Sequence, residues 1–285
     1  MNMAKQYTIG ELINLSASYL EEKGCTSPRL DAELLLAHVL ELERLDLYLN
    51  IDKPLQKAEV DGYRTLIGRR GQRIPVAYLT GVREFYSLPI EVTRDVLIPR
   101  PETEFLVDAV LELLEPDVPV EILEIGTGSG AVAAVLAYQD PLIRVTATDV
   151  SPQALVVAEK NAVRLEVDGQ IEFVHSDLFA SVQGKYRVIC SNPPYIPREE
   201  LKTLEPEVLS EPAAALDGGQ DGLDFYRRIL GQAPSYLEQP GFVVLEIGWN
   251  QGEEVKKLGQ EAGLMWQATY KDYAEHDRVV VFKWP

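Results

Sequence analysis

From Val120 to the end of the chain, short apolar runs of strand length alternate with stretches of helical periodicity, and that alternation admits few folds. Strands separated by a helix run parallel, because the crossover returns the chain to the edge of the sheet from which it started. The runs cover residues 120–124, 145–149, 171–175, 188–191, 242–247, 266–270 and 279–284. Only the polar turn 271–277 separates the last two, which predicts a closing hairpin and an antiparallel final strand. The fold class is therefore α/β, a doubly wound sheet of seven strands.

A chain of 285 residues also has room for a smaller unit ahead of this sheet. Residues 1–80 read as a helical bundle. Thr8 caps a first helix carrying Ile9, Leu12, Ile13 and Leu20, with Glu11 at the reciprocal position of a capping box. Ser27-Pro28 opens a second helix, expected to bury a stripe of Leu30, Leu34 and Ala37 with Leu35 and Val39 beside it. A third helix runs from Lys57 to Arg70 and ends in the basic strip Arg69-Arg70-Gly71-Gln72-Arg73, a solvated helix end or a contact for RNA or an acidic surface. No glycine-rich loop or carboxylate pair occurs in the first 75 residues, so the bundle grips a partner or braces the rest. Residues 81–98, loosely alternating and broken by Pro89, read as a hinge hairpin. Residues 99–285 form the sheet domain, entered through a helix that reaches Leu114.

With 27 basic and 45 acidic residues the net charge is -18, which argues against a broad phosphate-binding face and against direct DNA binding. The first fifteen residues resemble neither a signal peptide nor a membrane span, so the expectation is a cytoplasmic protein without a membrane partner. Cys25 and Cys190 belong to no CxxC pair and read as small buried residues; no metal site is expected.

The first predicted strand ends in Glu124-Ile125-Gly126-Thr127-Gly128-Ser129-Gly130. A glycine turn between strand and helix lets backbone N–H groups approach a ligand closely. Dinucleotide sites show G-x-G-x-x-G, whereas the spacing here is G-x-G-x-G behind an acidic residue. That departure favours S-adenosyl-L-methionine, whose cationic end is served by carboxylate and carbonyl oxygens and whose product is S-adenosyl-L-homocysteine. Asp149, at the next strand end, is placed to accept from the ribose hydroxyls. Asp177 would accept from the adenine amino group while the Leu178 backbone addresses the ring edge.

Asn192-Pro193-Pro194-Tyr195 follows the buried run 186–191, where open α/β sheets place ligands. The side-chain oxygen of Asn192 and the Pro193 carbonyl can each accept one N–H of a planar amide, and the prolines restrict the backbone that carries them. Tyr195 would pack against the amide plane. Glu102 and Thr103 line the substrate or cofactor mouth or cap the following helix, and Glu246 caps a strand end or orients the Asn192 loop. His38, His175 and His276 lie in no catalytic pattern, and His175 reads as a packed strand residue.

These motifs, with Arg73-Ile74-Pro75, Tyr78, Gly81, residues 97–103, Asp221-Gly222-Leu223-Asp224-Phe225-Tyr226 and Leu245-Glu246-Ile247-Gly248, resemble the release factor glutamine methyltransferase family over nearly the whole chain. The resemblance implies a class I methyltransferase fold with an N-terminal recognition domain. It also implies transfer of a methyl group to the side-chain amide nitrogen (N5) of the Gly-Gly-Gln glutamine in class 1 peptide chain release factors. Readings left open are a ribosomal-protein glutamine methyltransferase, an adenine-N6 nucleic acid methyltransferase and a noncatalytic binding module. The internal Gly218-Gly219-Gln220 repeats the substrate tripeptide, as a coincidence in a loop ahead of a helix over residues 226–237 or as a substrate mimic.

Overall fold

The computed structural model describes residues 6–285, so the first five residues of the amino-terminal stretch read above lie outside the described residues. The chain divides into two compact units, one of residues up to Val82 together with Glu205–Ser210, the other of Arg83–Leu204 and Glu211–Pro285. No helix among the described residues is long and apolar enough to cross a membrane.

The first unit contains α1 (Ile9–Glu22), α2 (Pro28–Leu40), α3 (Arg44–Leu49), α4 (Lys57–Arg70) and α5 (Val76–Thr80). The expected capping box is present: Glu11 N–H donates to Thr8 Oγ1 over 3.2 Å, and Thr8 N–H donates to the Glu11 carboxylate over 3.0 Å. The stripe expected on α2 is displaced. Leu30 and Leu34 are 39% and 38% exposed, while Ala32, Leu35 and Leu36 are fully buried against the helices that cover them. Apolar residues surround much of this helix, so contact with α1 and α4 decides which of them form the core. The helix α3 went unpredicted because Arg-Leu-Asp-Leu-Tyr-Leu alternates with the period of a strand and spans six residues.

Within the basic strip Arg69 is exposed, whereas Arg70 and Arg73 are engaged in ion pairs. Arg70, 4% exposed, donates to Asp31 at 2.7 Å and to Glu207 at 2.9 Å, and Arg73 also donates to Glu207. Burial alone would raise the Glu207 pKa, but the hydrogen bonds from Arg73 and Arg70 outweigh it and hold the carboxyl below its ordinary range. These pairs account for the inclusion of Glu205–Ser210, from a distant part of the sequence, in the helical unit.

The second unit opens with a hairpin, β1 (Val82–Phe85) and β2 (Leu88–Glu91), whose turn residues Tyr86 and Ser87 have φ of 52° and 62°. Two left-handed residues suit the twist of a two-residue hairpin turn. Non-glycine residues are held there because Tyr86 N–H donates to Glu104 and its hydroxyl to Asp108. The fully buried Asn161 exchanges two hydrogen bonds with the Glu91 backbone, which ties the expected hinge hairpin into the sheet unit from Arg83 onward.

The main sheet comprises β3 (Val120–Ile125), β4 (Ile143–Asp149), β5 (Ile171–His175), β6 (Tyr186–Ser191), β7 (Leu237–Glu246), β8 (Met265–Lys271) and β9 (Asp277–Trp284). Their order is β5-β4-β3-β6-β7-β9-β8, parallel except that β9 is antiparallel to both neighbours. The doubly wound, seven-stranded expectation matches this sheet. On one face α6 (Glu104–Leu111), α7 (Ala131–Gln139) and α8 (Pro152–Arg164) contact one another in series; α9 (Asp224–Gln232) and α10 (Gly252–Glu261) pair on the other. Two helices are shorter than expected. The chain stops α6 at Leu111 rather than Leu114 as Pro116 approaches, and Pro234 ends α9 at Gln232 rather than at residue 237.

Side chains alternate between the two faces of each strand. In β3, Leu123 and Ile125 enter the core beneath α9 and α10, as do Val243, Leu245 and Ile247 at the end of β7. Glu124 and Glu246 therefore point to the opposite face, toward α7 and α6. Both are buried at strand ends, 4% and 1% exposed.

Candidate active site

The order of winding creates the site. The chain lays down β3, β4 and β5 outward in one direction, then returns to place β6 on the other side of β3. At such a switch point the loops leaving neighbouring strands diverge and leave a crevice outside the carboxyl ends. Register brings the motifs together there: Ile125, just before Gly126, pairs with Ser191, just before Asn192, and with Thr148, just before Asp149.

One cleft at this edge is lined by Gly126, Gly128, Asp149, Asp177, Leu178, Asn192, Pro193 and Pro194. Residues expected on the cofactor side and residues expected on the substrate side thus line one opening within the sheet unit. Gly126 and Gly128 have φ of 74° and 57°, a conformation that L side chains rarely adopt, so the bare backbone follows the cleft wall. Asp149 is held rigidly, one carboxylate oxygen accepting from Gly128 N–H and the other from Ser151 N–H, each over 2.8 Å. Each oxygen keeps a lone pair for a further donor. Asp177 accepts from Arg228 at 2.7 Å in an exposed ion pair, so an amine entering the cleft would share this carboxylate with Arg228. Leu178 has φ of 51°, an uncommon state for leucine, and the Ser176 hydroxyl donates to its carbonyl over 2.8 Å.

Other expected site residues stand behind the wall. Thr127, Ser129, Gly130 and Glu124 are not in the lining. Glu124 braces the turn from beneath, accepting from the Thr127 hydroxyl at 2.6 Å and from Ala133 N–H at 3.2 Å. Gly130 packs on α8, where an added Cβ would stand 2.8 Å from Ala158 Cβ. Burial pushes the Glu124 carboxyl up to about 7, against the Thr127 and Ala133 hydrogen bonds and with the charge of Asp149 adding to the rise.

A folded-state pKa above the ordinary 4.5 means that the native state binds the proton more tightly than the unfolded chain. The associated stability is complete below pH 4.5 and is lost as pH rises through about 7. Glu124→Gln removes this titration. Across that window its urea-unfolding stability is expected to gain up to about 3 kcal/mol on the unaltered chain. A stability difference independent of pH would contradict the assignment.

The Asn192 loop is buttressed from below. Gln251 Nε2 donates to the Tyr195 carbonyl over 2.9 Å, and the Tyr226 hydroxyl donates to the Glu246 carbonyl over 3.0 Å. The Tyr195 ring packs against the core cluster under α9 and α10 and is not in the cleft lining. Gly218 and Gly222 lie so close to the Tyr195 backbone that a Cβ would approach it to 2.7 and 2.4 Å. Close packing therefore accounts for the first glycine of Gly218-Gly219-Gln220, and a clash of a Cβ with Asp224 accounts for the second.

Thr103 is buried and accepts at Oγ1 from Asn192 Nδ2 over 3.1 Å. Asn192 Oδ1 and the Pro193 carbonyl accept no hydrogen bond from any described residue. Glu102 is partly buried beside Thr103, among the charges that act on Tyr195 and Glu246. No histidine lines the cleft; His175 is exposed, its ring hydrogen-bonded to the Val150 carbonyl, rather than packed in the strand. Cys25 and Cys190 are both buried.

Lining residues not singled out individually include Asp95, Val96, Pro212 and Ala215, which come from loops without periodic pattern. Leu97 and Phe225 also line the cleft, and both fall in segments that carry the family resemblance.

Comparison with known proteins accords with this geometry. Residues 11–81 match the family model of the PrmC N-terminal domain, and residues 103–220 that of the methyltransferase small domain. A release factor glutamine methyltransferase of Geobacter sulfurreducens is 41% identical over 276 residues, covering 96% of each chain. Its namesake from Moorella thermoacetica is 42% identical, covering 95% of this chain and 96% of its own. Among solved structures, a methyltransferase from Pyrococcus furiosus aligns with a TM-score of 0.54 at 20% identity, over 76% of this chain and 98% of its own. The hMettl16 catalytic domain, in complex with MAT2A 3'UTR hairpin 6, aligns with a TM-score of 0.58 at 16% identity, over 73% and 79%. These two show the fold; the near-full-length relatives, with both family models, show that the chain belongs to the release factor glutamine methyltransferase family.

Proposed function

We propose that this chain transfers a methyl group from S-adenosyl-L-methionine to the side-chain amide nitrogen of the glutamine in the Gly-Gly-Gln motif of class 1 peptide chain release factors, giving N5-methylglutamine. The observation that carries the reading is the single cleft in which Asp149, Asp177 and the glycine turn stand with Asn192 and Pro193. Near-full-length relatives named for this activity on release factors support the substrate.

The residues fit the cofactor. Asp149 offers two anchored carboxylate oxygens to a vicinal diol, Asp177 and Leu178 line the same cleft and would serve a ring amine and ring edge, and Val150 and Phe225 supply apolar walls. Carboxylates in the lining also suit a cationic ligand. When bound, the cofactor supplies a methyl carbon made electrophilic by a positively charged sulfur.

What the chain itself does is alignment. A carboxamide nitrogen is a poor nucleophile because its lone pair is delocalised into the carbonyl. Asn192 Oδ1 and the Pro193 carbonyl can take one N–H each, which holds the nitrogen in one orientation inside a walled site. As the nitrogen–methyl bond forms the sulfur–methyl bond would break, and the methylated nitrogen would then release one proton to solvent; no histidine lines the cleft to receive it, in keeping with a barrier lowered by geometry rather than by a strong base.

A labelled-methyl assay offering release factor, ribosomal protein and DNA side by side tests the reading. Label is expected in the release factor alone. Label in DNA or in the ribosomal protein, with none in the release factor, would replace this reading by one of the alternatives.

A further inference from the structure

Glu211 carries a buried carboxylate, its side chain 1% exposed, that has no part in aligning the substrate amide. Both of its oxygens are taken by one distant loop: Oε2 accepts from the Ile98 N–H over 3.0 Å, and Oε1 accepts from the Arg100 guanidinium. The cleft shows why these partners matter. Asp95, Val96 and Leu97, just ahead of Ile98, line it, and so do Pro212, Ala214 and Ala215, just after Glu211. One side chain therefore fastens together two stretches of cleft wall whose anchor points lie 113 residues apart in sequence. All of these residues belong to the sheet unit.

We propose that Glu211 is a positioning residue for cofactor binding: its carboxylate pins the two wall loops to each other and so holds the cleft in the shape that receives S-adenosyl-L-methionine. This rests on the function proposed above. Glu211 is not itself in the lining, so it acts through the loops that it joins. Both bonds run between groups of the chain, so the wall is set before a ligand arrives.

The composition of the first loop explains the need for such a side chain. Residues 92–100 form no helix or strand, and in Ile98-Pro99-Arg100-Pro101 the prolines bring no N–H. Ile98 is buried, and a buried N–H without a partner is costly, so a loop with no strand beside it must find its acceptor in a side chain. The contacts at residues 98 and 100 flank Pro99, whose φ is fixed, and together they set the tilt of the loop as well as its position. Pro212 restricts the chain in the same way directly after Glu211. Loops of this kind otherwise fluctuate, and a ligand that must order them binds more weakly. Charge-assisted bonds at a buried carboxylate are strong enough to keep the wall in one arrangement.

The test measures, on the full chain, Kd for S-adenosyl-L-homocysteine by calorimetry, kcat on a release factor at saturating S-adenosyl-L-methionine, and the thermal midpoint. Glu211→Gln keeps the side-chain shape and one acceptor oxygen but removes the charge that holds Arg100. Its Kd is expected to rise by roughly 10–10²-fold, the effect of one hydrogen bond between charged groups, while kcat at saturating cofactor changes little. Arg100→Gln breaks the same bond from the other side, so adding it to Glu211→Gln should weaken binding little further. An unchanged Kd in Glu211→Gln, a fall in kcat as large as the rise in Kd, or effects of the two substitutions that simply add would overturn the role. Should Glu211→Gln fail to fold, Arg100→Gln carries the test at a side chain 32% exposed, with the same expected rise and the same contrary result. An unaltered chain that bound no cofactor would sink the proposed function; binding that the substitutions leave untouched would sink the role of Glu211 alone.

Discussion

Replacing Asn192 by alanine is expected to lower kcat for methyl transfer by roughly 10²–10³-fold while leaving cofactor affinity nearly intact. The two effects separate because the residue has two neighbourhoods. Its backbone continues β6 at the cleft floor, in register with the glycine turn, and survives the substitution. In the proposed reaction its side chain would supply one of the two acceptors for the incoming amide, and it is hydrogen-bonded to Thr103. Loss of the acceptor frees the nucleophile to rotate, and rate depends steeply on such alignment. Single-turnover kinetics with calorimetry of the cofactor would check this. Undiminished turnover, or a loss of rate matched by a loss of cofactor binding, would assign Asn192 to a different role.

Asp149→Ala should show the opposite pattern, with cofactor Kd raised by roughly 10²–10⁴-fold. Hydrogen bonds to a charged acceptor contribute about 1.5–3 kcal/mol each, and two ribose hydroxyls would lose theirs together. The carboxylate also holds the Gly128 and Ser151 N–H groups, so its removal loosens the turn that shapes the cleft. At saturating cofactor, if it can be reached, much of kcat should return. An unchanged Kd would remove Asp149 from the ribose site.

The strands and the glycine turn were legible because their signals are local. Apolar runs, periodicity and positive-φ glycines report on a few consecutive residues, and Gly126 and Gly128 stand on the cleft wall as the turn chemistry implied. Burial along α2 was not legible: with leucines at positions 30, 34, 35 and 36, only the neighbouring helices determine that the last two enter the core. Ion-pair partners far apart in sequence were equally hidden. Arg70 meets Asp31 across 39 residues and Glu207 across 137, and no local pattern in a basic strip announces either.

The same holds within the site. Thr103 reaches Asn192 across 89 residues, so sequence spacing could name both but not join them. For Glu246 the strand period assigns a face, and the fold then brings α6 and its preceding turn onto that face. Glu124 illustrates the converse. Its position before the glycine turn suggested contact with a cationic ligand, whereas the alternation of β3 turns it inward to tie the turn to α7.

The most direct measurement is tandem mass spectrometry of the Gly-Gly-Gln peptide of a release factor after incubation with the chain and S-adenosyl-L-methionine. Fragment ions should place one added methyl group on the glutamine side-chain nitrogen, and the Asn192→Ala reaction should lack it. A methyl group on any other residue, or an unmodified glutamine beside full cofactor binding, would contradict the alignment of an amide nitrogen by Asn192 and Pro193.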